Sequence, residues 1–503
     1  MRRALLPSTA LASWARLNNV EFNGCAIEHL GEEPTGRGFA AIAQRDIAAT
    51  EAGPLMTVPS DLILSAEAVE GYAKADVHLR QLLDAVGDLS KTARGAILLY
   101  LLLQITIASP DCHERIGVSG PITEYARFLS AVSLPTTWTS AEQGLLIGTS
   151  LEAALSAKLR RTQREFDHMR LSTASIPWCA RMWWEQDQLT VEDWLLVDSW
   201  FRSRALSFGT DADALVPCVD MLNHTRGEET NVYFDRDQRG NAVLLRPPGT
   251  TFRQGEEITL SYGDGKSASE MLFSYGFLEP APMGTAALSL DLDISTEDPL
   301  KRAKEAIMAE AAAVRVSSDA RSSKWESATI WLACVNEEDG LGFEVFQTND
   351  GDRELRAYWH ERDITNDSGV LQECLLADPL WPVFELRAAT LVRGRVMAQL
   401  ERLGVSEAAA EAARSDPTVR SHVWSAAMEL RGIEQELLRR CAQDLDAQQA
   451  RLLATEVVQR YLGGAEATAA AAGVERGMDA DDADDGGDGE PDAGEPGELG
   501  EFA

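Results

Sequence analysis

Hydrophobic positions along this 503-residue chain change their spacing twice, and each change predicts a different kind of structure. Between about residues 20 and 65 they come in short runs, at 40–42, 55–58 and 62–64, broken by Gly36, Gly38, Gly53, Pro54 and Pro59. Glycine and proline at such intervals interrupt helices and favour turns, so this region predicts short strands. From about 67 to 208 the spacing becomes helical. Within it Thr149 and Glu152 stand in the relation of a capping box, opening an amphipathic stretch to about Leu171. Strand signals return between 214 and 262. Residues 232–234 and 242–245 flank a polar turn at 237–241, and Ile258, Leu260 and Tyr262 alternate with Thr259 and Ser261.

After about 282 the pattern is again helical, at 300–316, 384–403, 419–441 and 447–462. From about 463 onward Ala, Gly, Asp, Glu and Pro dominate, with almost nothing to bury, which predicts a disordered acidic tail. The expected class is therefore α+β. A β-rich fold over 1–285 is split by a helical insert at about 67–208, and an all-helical domain over 286–463 and a tail over 464–503 follow. Near the start, Leu11, Trp14 and Leu17 fall on one face of a first helix. The same stretch carries Arg2, Arg3 and Arg16 without an acid, which is also the pattern of an organelle transit peptide.

Charge narrows the partners. The net charge is −34, and residues 475–501 hold twelve acids against Arg476 alone, which leaves about −23 on the rest. No basic stripe is present for phosphate contacts, so a nucleic-acid partner is not expected and a basic protein partner is. The seven cysteines lack C-x-x-C spacing, which fits reduced thiols inside a cell, cytoplasmic or nuclear, and no metal. The longest apolar run, 96–108, is broken by Gln104 and too short for a bilayer, so no membrane association is expected. A monomer is the expected state.

Three segments carry candidate chemistry. Gly36-Arg37-Gly38 follows a strand signal, and glycines there let the backbone approach a ligand or simply turn. Residues 214–225 place Asp220, Asn223 and His224 at the end of an apolar run, where an Asn-His pair alone reads as a turn with a satisfied histidine. Residues 255–263 end in Tyr262-Gly263, and 266–277 contain Tyr275-Gly276-Phe277. A tyrosine at a strand end can present its hydroxyl from a rigid element, or only pack its ring. Gly265-Lys266-Ser267 lacks the glycine a phosphate loop needs at position 260, where Leu260 stands. Trp178, Trp183 and Trp184 could form a cage for a methylated cation, but a packed helical insert explains them better.

Taken together, these segments resemble the SET-domain family, most closely the subgroup of the Rubisco large-subunit methyltransferase and related non-histone enzymes. The resemblance covers about 11–280 and, more weakly, continues to about 462. It implies a SET fold split by a helical insert and followed by a helical substrate-binding domain. It also implies a protein-lysine N-methyltransferase using S-adenosyl-L-methionine, without the zinc-binding cysteines of many histone-modifying relatives. Site by site, it assigns Gly36, Arg37 and Gly38 to the cofactor backbone and Arg204 to its carboxylate, with Arg202 as rival. Asn223 and His224, with Asp220 nearby, would hold the cofactor; Tyr262 would be the catalytic tyrosine and Tyr275 its partner. Thr225 stands where the family usually has serine. One branch of the subgroup methylates histidine and departs near Tyr275, and a SET-fold binding module without catalysis is a further alternative.

Overall fold

The computed structural model describes residues 1–31, 38–185, 187–208, 213–227, 230–263, 265–279, 286–308, 312–318, 322–347, 353–365 and 368–463. The Gly36 and Arg37 expectations and the tail from 464 lie outside them. The helix α1 (Leu11–Leu17) buries Leu11 and Trp14, and the Trp14 indole donates to the Pro121 carbonyl at 3.0 Å. Leu17, expected on the same face, is exposed, because the helix ends there and the chain turns away through Asn18.

Among the described residues nine short strands form the β-rich part: β1 (Glu21–Phe22), β2 (Cys25–His29), β3 (Phe39–Ala43), β4 (Met56–Val58), β5 (Leu206–Ser207), β6 (Asp213–Ala214), β7 (Tyr233–Arg236), β8 (Ala242–Leu245) and β9 (Glu257–Ile258). They assemble as sheets of order β1-β4-β8-β7, β2-β3-β9 and β5-β6. The expected hairpin is the antiparallel β7–β8 pair. Residues 62–64 do not form the expected strand. A 3₁₀ turn, Ser60–Leu62, takes the first of them, and Leu64 makes only a bridge to Leu215.

Between β4 and β5 comes the helical insert: α2 (Ala66–Ala73), α3 (Val77–Val86), α4 (Ala93–Ile107), α5 (Pro121–Tyr125), α6 (Ser140–Gln143), α7 (Leu151–Thr173), α8 (Pro177–Cys179) and α9 (Val191–Arg204). Helix α4 is apolar on all sides because it is surrounded, with every residue from Gly95 to Thr106 buried. Gln104, the polar break in that run, is satisfied by Thr123, whose hydroxyl donates to its side-chain oxygen. Trp178 and Trp183 are buried 4.8 Å apart, and the Trp183 and Trp184 indoles donate to Thr106 and Thr173. They are core and not an open cage.

The expected capping box at the start of α7 does not form. Glu152 instead accepts from the Gly148 N–H at 2.8 Å, and the Ser150 N–H and hydroxyl go to Glu434 at 3.0 and 2.5 Å. Glu434 lies far along the chain, which no local pattern reports.

After β9 come α10 (Ala268–Tyr275), β10 (Ala286–Asp291), α11 (Lys301–Ile307), β11 (Ala313–Ser318), β12 (Ser323–Glu326), α12 (Ile330–Cys334), β13 (Leu341–Gln347), β14 (Arg353–Trp359), β15 (Arg362–Asp363), α13 (Ser368–Ala377), α14 (Trp381–Ala412) and α15 (Ser421–Leu453). The C-terminal region is helical from α13 on, as expected, but its first part is not: six strands occupy 286–363, where helix was expected at 300–316. Val314 and Val316 alternate with Arg315 and pair with β10 and β12, a two-residue period hidden beside the helical Lys301–Ile307. Helix α15 also runs unbroken through the expected gap at 441–447.

Contacts divide the chain into two compact units. The first contains Met1–Ser295, Met308–Ile330 and Val392–Asp444; the second contains Thr296–Ile307, Trp331–Leu391 and the chain from Leu445. Within the first, the insert is clasped by the later helices. The fully buried Glu142 accepts from the Arg420 guanidinium at 2.7 and 2.8 Å. Arg431, 1% exposed, donates to the carbonyls of Leu145 and Ile147, and Gln399 donates to that of Gly148 at 2.5 Å. Burial alone would raise the Glu142 carboxyl, but the hydrogen bonds of Arg420 and the Thr139 N–H hold it down at about 2. Against about 4.3 for an unfolded glutamate, this contribution is complete above that value and is lost as pH falls toward 2. Thermal scans should therefore show Glu142→Gln less stable than the parent at pH 7, with a smaller further loss between about pH 5 and 3; equal acid sensitivity would show that the pair contributes nothing.

Candidate active site

The site is built on one tight passage, residues 215–225. Cys218 has φ +70°, which side-chain-bearing residues seldom adopt, and this kink leads into the 3₁₀ turn Val219–Met221. Tyr125 of α5 stabilises the kink: its hydroxyl accepts from the Cys218 N–H at 3.1 Å and donates to Asp220 Oδ1 at 2.5 Å. The Asp220 carboxyl is buried with Oδ2 unpartnered, and burial pushes it up to about 6 despite the nearby Arg204 and the Tyr125 hydrogen bond.

Beyond the turn, residues 223–225 lie alongside Leu260. The Leu260 N–H donates to the Asn223 carbonyl at 3.0 Å, and its carbonyl accepts from the Thr225 N–H at 3.1 Å. The regular strand stops at Ile258, four residues short of Tyr262 where the predicted alternation ends, and Leu260 makes only isolated bridges to His224 and Val232. The Asn223 amide donates to Glu257 Oε1 at 2.8 Å. His224 Nδ1 lies 3.0 Å from the Tyr262 N and 3.2 Å from the Leu260 carbonyl, and Nε2 meets Glu279, also paired with Arg226.

Four aromatic rings then stack in one group. Tyr262 lies 5.0 Å from the His224 ring and 4.6 Å from Tyr275, while Phe277 stands 6.3–6.5 Å from His224, Tyr262 and Tyr275. Helix α10 is capped by the reciprocal Ser267 and Glu270 bonds, and its C-cap Gly276 has φ +83°, which turns Phe277 back toward Tyr262. A Cβ at Gly276 would sit 2.7 Å from the Ser133 carbonyl, so glycine is needed there twice over. The Tyr262 hydroxyl donates to the Leu222 carbonyl at 2.6 Å, and burial first, then the Tyr275, Asp220 and Glu257 neighbours, raise its pKa against the opposing effect of Arg204. It stays protonated at neutral pH, an orienting hydroxyl with lone pairs to spare.

Arg204, Asp220, Tyr262 and Tyr275 line one cavity of about 340 Å³, walled by Leu206, Phe234 and Leu260 and bordered by Asp213, Ser261 and Lys266. Arg204 donates from Nη1 to the Asp220 carbonyl at 3.0 Å, and its Nε has no partner. Arg202, its sequence rival, is engaged elsewhere. It donates to the Phe273 carbonyl at 2.8 Å, pairs with Asp198 at 3.3 Å and lies 4.3 Å over the Phe273 ring. Asn223 and His224 do not line this cavity; they sit behind Tyr262. Gly38 has φ +65°, its carbonyl accepts from the Leu30 N–H at 2.7 Å and its N–H donates to the Gly31 carbonyl at 3.2 Å, so its backbone closes a turn. Among the described residues no group of three or more His, Cys, Asp or Glu side chains could hold a metal, and no helix is long and apolar enough to cross a membrane.

Tyr125 and Glu279 were not anticipated from the sequence. Tyr125 lies 95 residues before Asp220, and Glu279 carries no local mark beyond following Gly276 by three positions.

No family model matches the chain. Among curated proteins it is similar to the SET domain-containing protein 8 of Schizosaccharomyces pombe, 26% identical over 242 residues, 46% of this chain and 53% of that protein. It is also similar to the human actin-histidine N-methyltransferase, 25% identical over 307 residues, 60% of this chain and 47% of that protein. The chain thus spans about half the length of the curated relatives it matches. Among solved structures, the SET domain of Rubisco LSMT bound to lysine and AdoHcy superposes with a TM-score of 0.64 at 17% identity, covering 90% of this chain and 94% of that one. A Rubisco LSMT structure bound to AdoMet gives 0.60 at 17% identity, over 89% and 93% of the two chains. The fold is the SET fold. Its sequence similarity runs to a SET domain-containing protein and to actin-histidine N-methyltransferases, and its structural similarity to the Rubisco LSMT SET domain.

The Tyr125 hydroxyl offers a direct test. Tyr125→Phe leaves the Cys218 N–H and the Asp220 carboxyl without their partner in a buried place, a loss of about 1–3 kcal/mol. Urea unfolding should show that loss, and a change under about 0.5 kcal/mol would mean the kink holds itself.

Proposed function

We propose that the protein is an S-adenosyl-L-methionine-dependent protein-lysine N-methyltransferase acting on a basic, non-histone protein. The observation that carries the reading is the convergence of Tyr262, Tyr275 and Arg204 on a cavity with apolar walls, backed by Asn223 and His224. The cofactor, when bound, supplies a methyl group already activated on a sulfonium. The polar pair Asn223 and His224 behind Tyr262 suits such a group, and the structural neighbours bound to AdoMet and AdoHcy support it. In this reading Arg204, in the cavity wall with its Nε unpartnered, remains the guanidinium for the cofactor carboxylate.

The chain's own residues then position the acceptor. Leu206, Phe234 and Leu260 suit the methylenes of a lysine stem. The Tyr262 hydroxyl, its proton committed to the Leu222 carbonyl, accepts from the amine N–H and aims the lone pair. Holding the two partners in line lowers the barrier by several kcal/mol without a metal. The ammonium proton passes to water before attack, so no phenolate base is required of Tyr262.

A second reading, methylation of histidine, is favoured by the named actin-histidine relatives and by Asp213 at the cavity border, an acid able to hold an imidazole N–H. Mass spectrometry after incubation with labelled S-adenosylmethionine and a cell extract decides between them: label on lysine supports the first, label on histidine replaces it. A protein that binds no S-adenosylmethionine in calorimetry would be the inactive binding module instead.

Under the first reading, Tyr262→Phe should lower kcat by about 10²-fold or more while the cofactor Kd changes by less than about twofold. Asn223→Ala should instead weaken cofactor binding about tenfold. Parental kcat in the phenylalanine variant would remove Tyr262 from the chemistry, and unchanged affinity in the alanine variant would return Asn223 to a purely structural role.

A further inference from the structure

Of the 46 lysines and arginines in the chain, only seven are lysines. Arginine serves in most of the ion pairs described above, and where lysine is used it is mostly committed. Lys304 is fully buried on Asp298 at 2.6 Å, and Lys158 reaches the buried Asp198 at 3.0 Å. Lys91 and Lys301 pair with carboxylates three and four residues away.

Lys266 stands in a different place. Its side chain lines the same cavity as Tyr262 and Tyr275, only four residues after Tyr262. A Cβ built on Gly263 would lie 2.9 Å from Lys266 Nζ, so the amino group rests against the backbone that immediately follows the catalytic tyrosine. Glycine at 263, φ +116°, is what leaves room for it. Its own backbone is fixed, because Ser267 caps α10 through the reciprocal bonds with Glu270. A primary amine on a long flexible stem is therefore tethered inside a cavity that the proposed function assigns to just such an amine.

We propose that Lys266 is itself a methyl acceptor, so that the protein methylates its own acceptor cavity. The inference rests on the methyltransferase reading above. The Lys266 ammonium releases its proton to water; the Nζ lone pair forms the new N–C bond to the methyl carbon. The C–S bond of S-adenosylmethionine breaks with its electron pair going to sulfur, which yields S-adenosylhomocysteine. Tethering favours the step, since an attached group has an effective concentration in the millimolar range or above, beyond that of a free partner. The product keeps its positive charge and adds bulk where a substrate lysine would enter.

The experiment uses the purified full chain, isotopically labelled S-adenosylmethionine and no other protein. Peptide mass spectrometry should find label on Lys266, and the rate constant per chain should hold over about tenfold dilution, as a step within one molecule requires. Lys266→Arg, which keeps the charge but offers no primary amine, should lose the label and keep cofactor affinity in calorimetry. Tyr262→Phe should lose the label as well. If the cofactor binds and an extract protein is methylated while Lys266 stays unmodified, self-methylation is wrong and the enzyme reading stands. Label on Lys266 whose rate falls with dilution also overturns the proposal, since the transfer would then run between molecules. If the cofactor does not bind at all, both readings fall together.

Discussion

The two backbone hydrogen bonds of Leu260, one to the Asn223 carbonyl and one from the Thr225 N–H, are the constraint on which the site depends. They hold two segments some 35 residues apart side by side, so that the His224 ring can receive the Tyr262 N–H and the Leu222 carbonyl can receive the Tyr262 hydroxyl. Tyr262 is thereby fixed at both its backbone and its ring tip. Everything else in the aromatic group is placed against it: Tyr275 by the end of α10, Phe277 by the left-handed turn at Gly276. A buried hydroxyl held this way has one orientation, which is what aligning an acceptor atom demands.

That constraint explains why the polar groups here accept an unfavourable environment. Asp220 keeps one oxygen unpartnered and Arg204 one nitrogen, both buried in the wall of the same cavity. Unsatisfied buried groups cost stability, so they persist only where the surrounding packing over-determines them. Tyr125 supplies that packing from the insert, which makes the insert part of the site and not an ornament on it.

Much of this was legible in the sequence because its signals are local. The β7–β8 hairpin, the apolar α4 and the Tyr-Gly pairs each announce themselves within a dozen residues. The tyrosine and Asn-His motifs meet in space, with Asn223 and His224 behind Tyr262 and away from the cavity. What the sequence hid was long-range. Glu434 displaces the capping box that Thr149 and Glu152 suggest, and Tyr125 finds Asp220 across 95 positions. The strands at 313–318 were masked by an adjoining helical period, since two-residue and 3.6-residue spacings overlap over so short a run.

The clasp of Glu142, the 145–148 carbonyls and Ser150 by Gln399, Arg420, Arg431 and Glu434 has a consequence for how the molecule comes into being. During synthesis the insert leaves the ribosome 251 to 284 residues ahead of the side chains that satisfy it. Until the chain has grown past Glu434, a buried carboxylate and several carbonyls of the insert lack their partners, and the half of the protein that carries Tyr262 cannot close into its final form. The finished site is therefore a late event in the life of the chain, although its own residues end at Glu279, well before Gln399 and Arg420 are made.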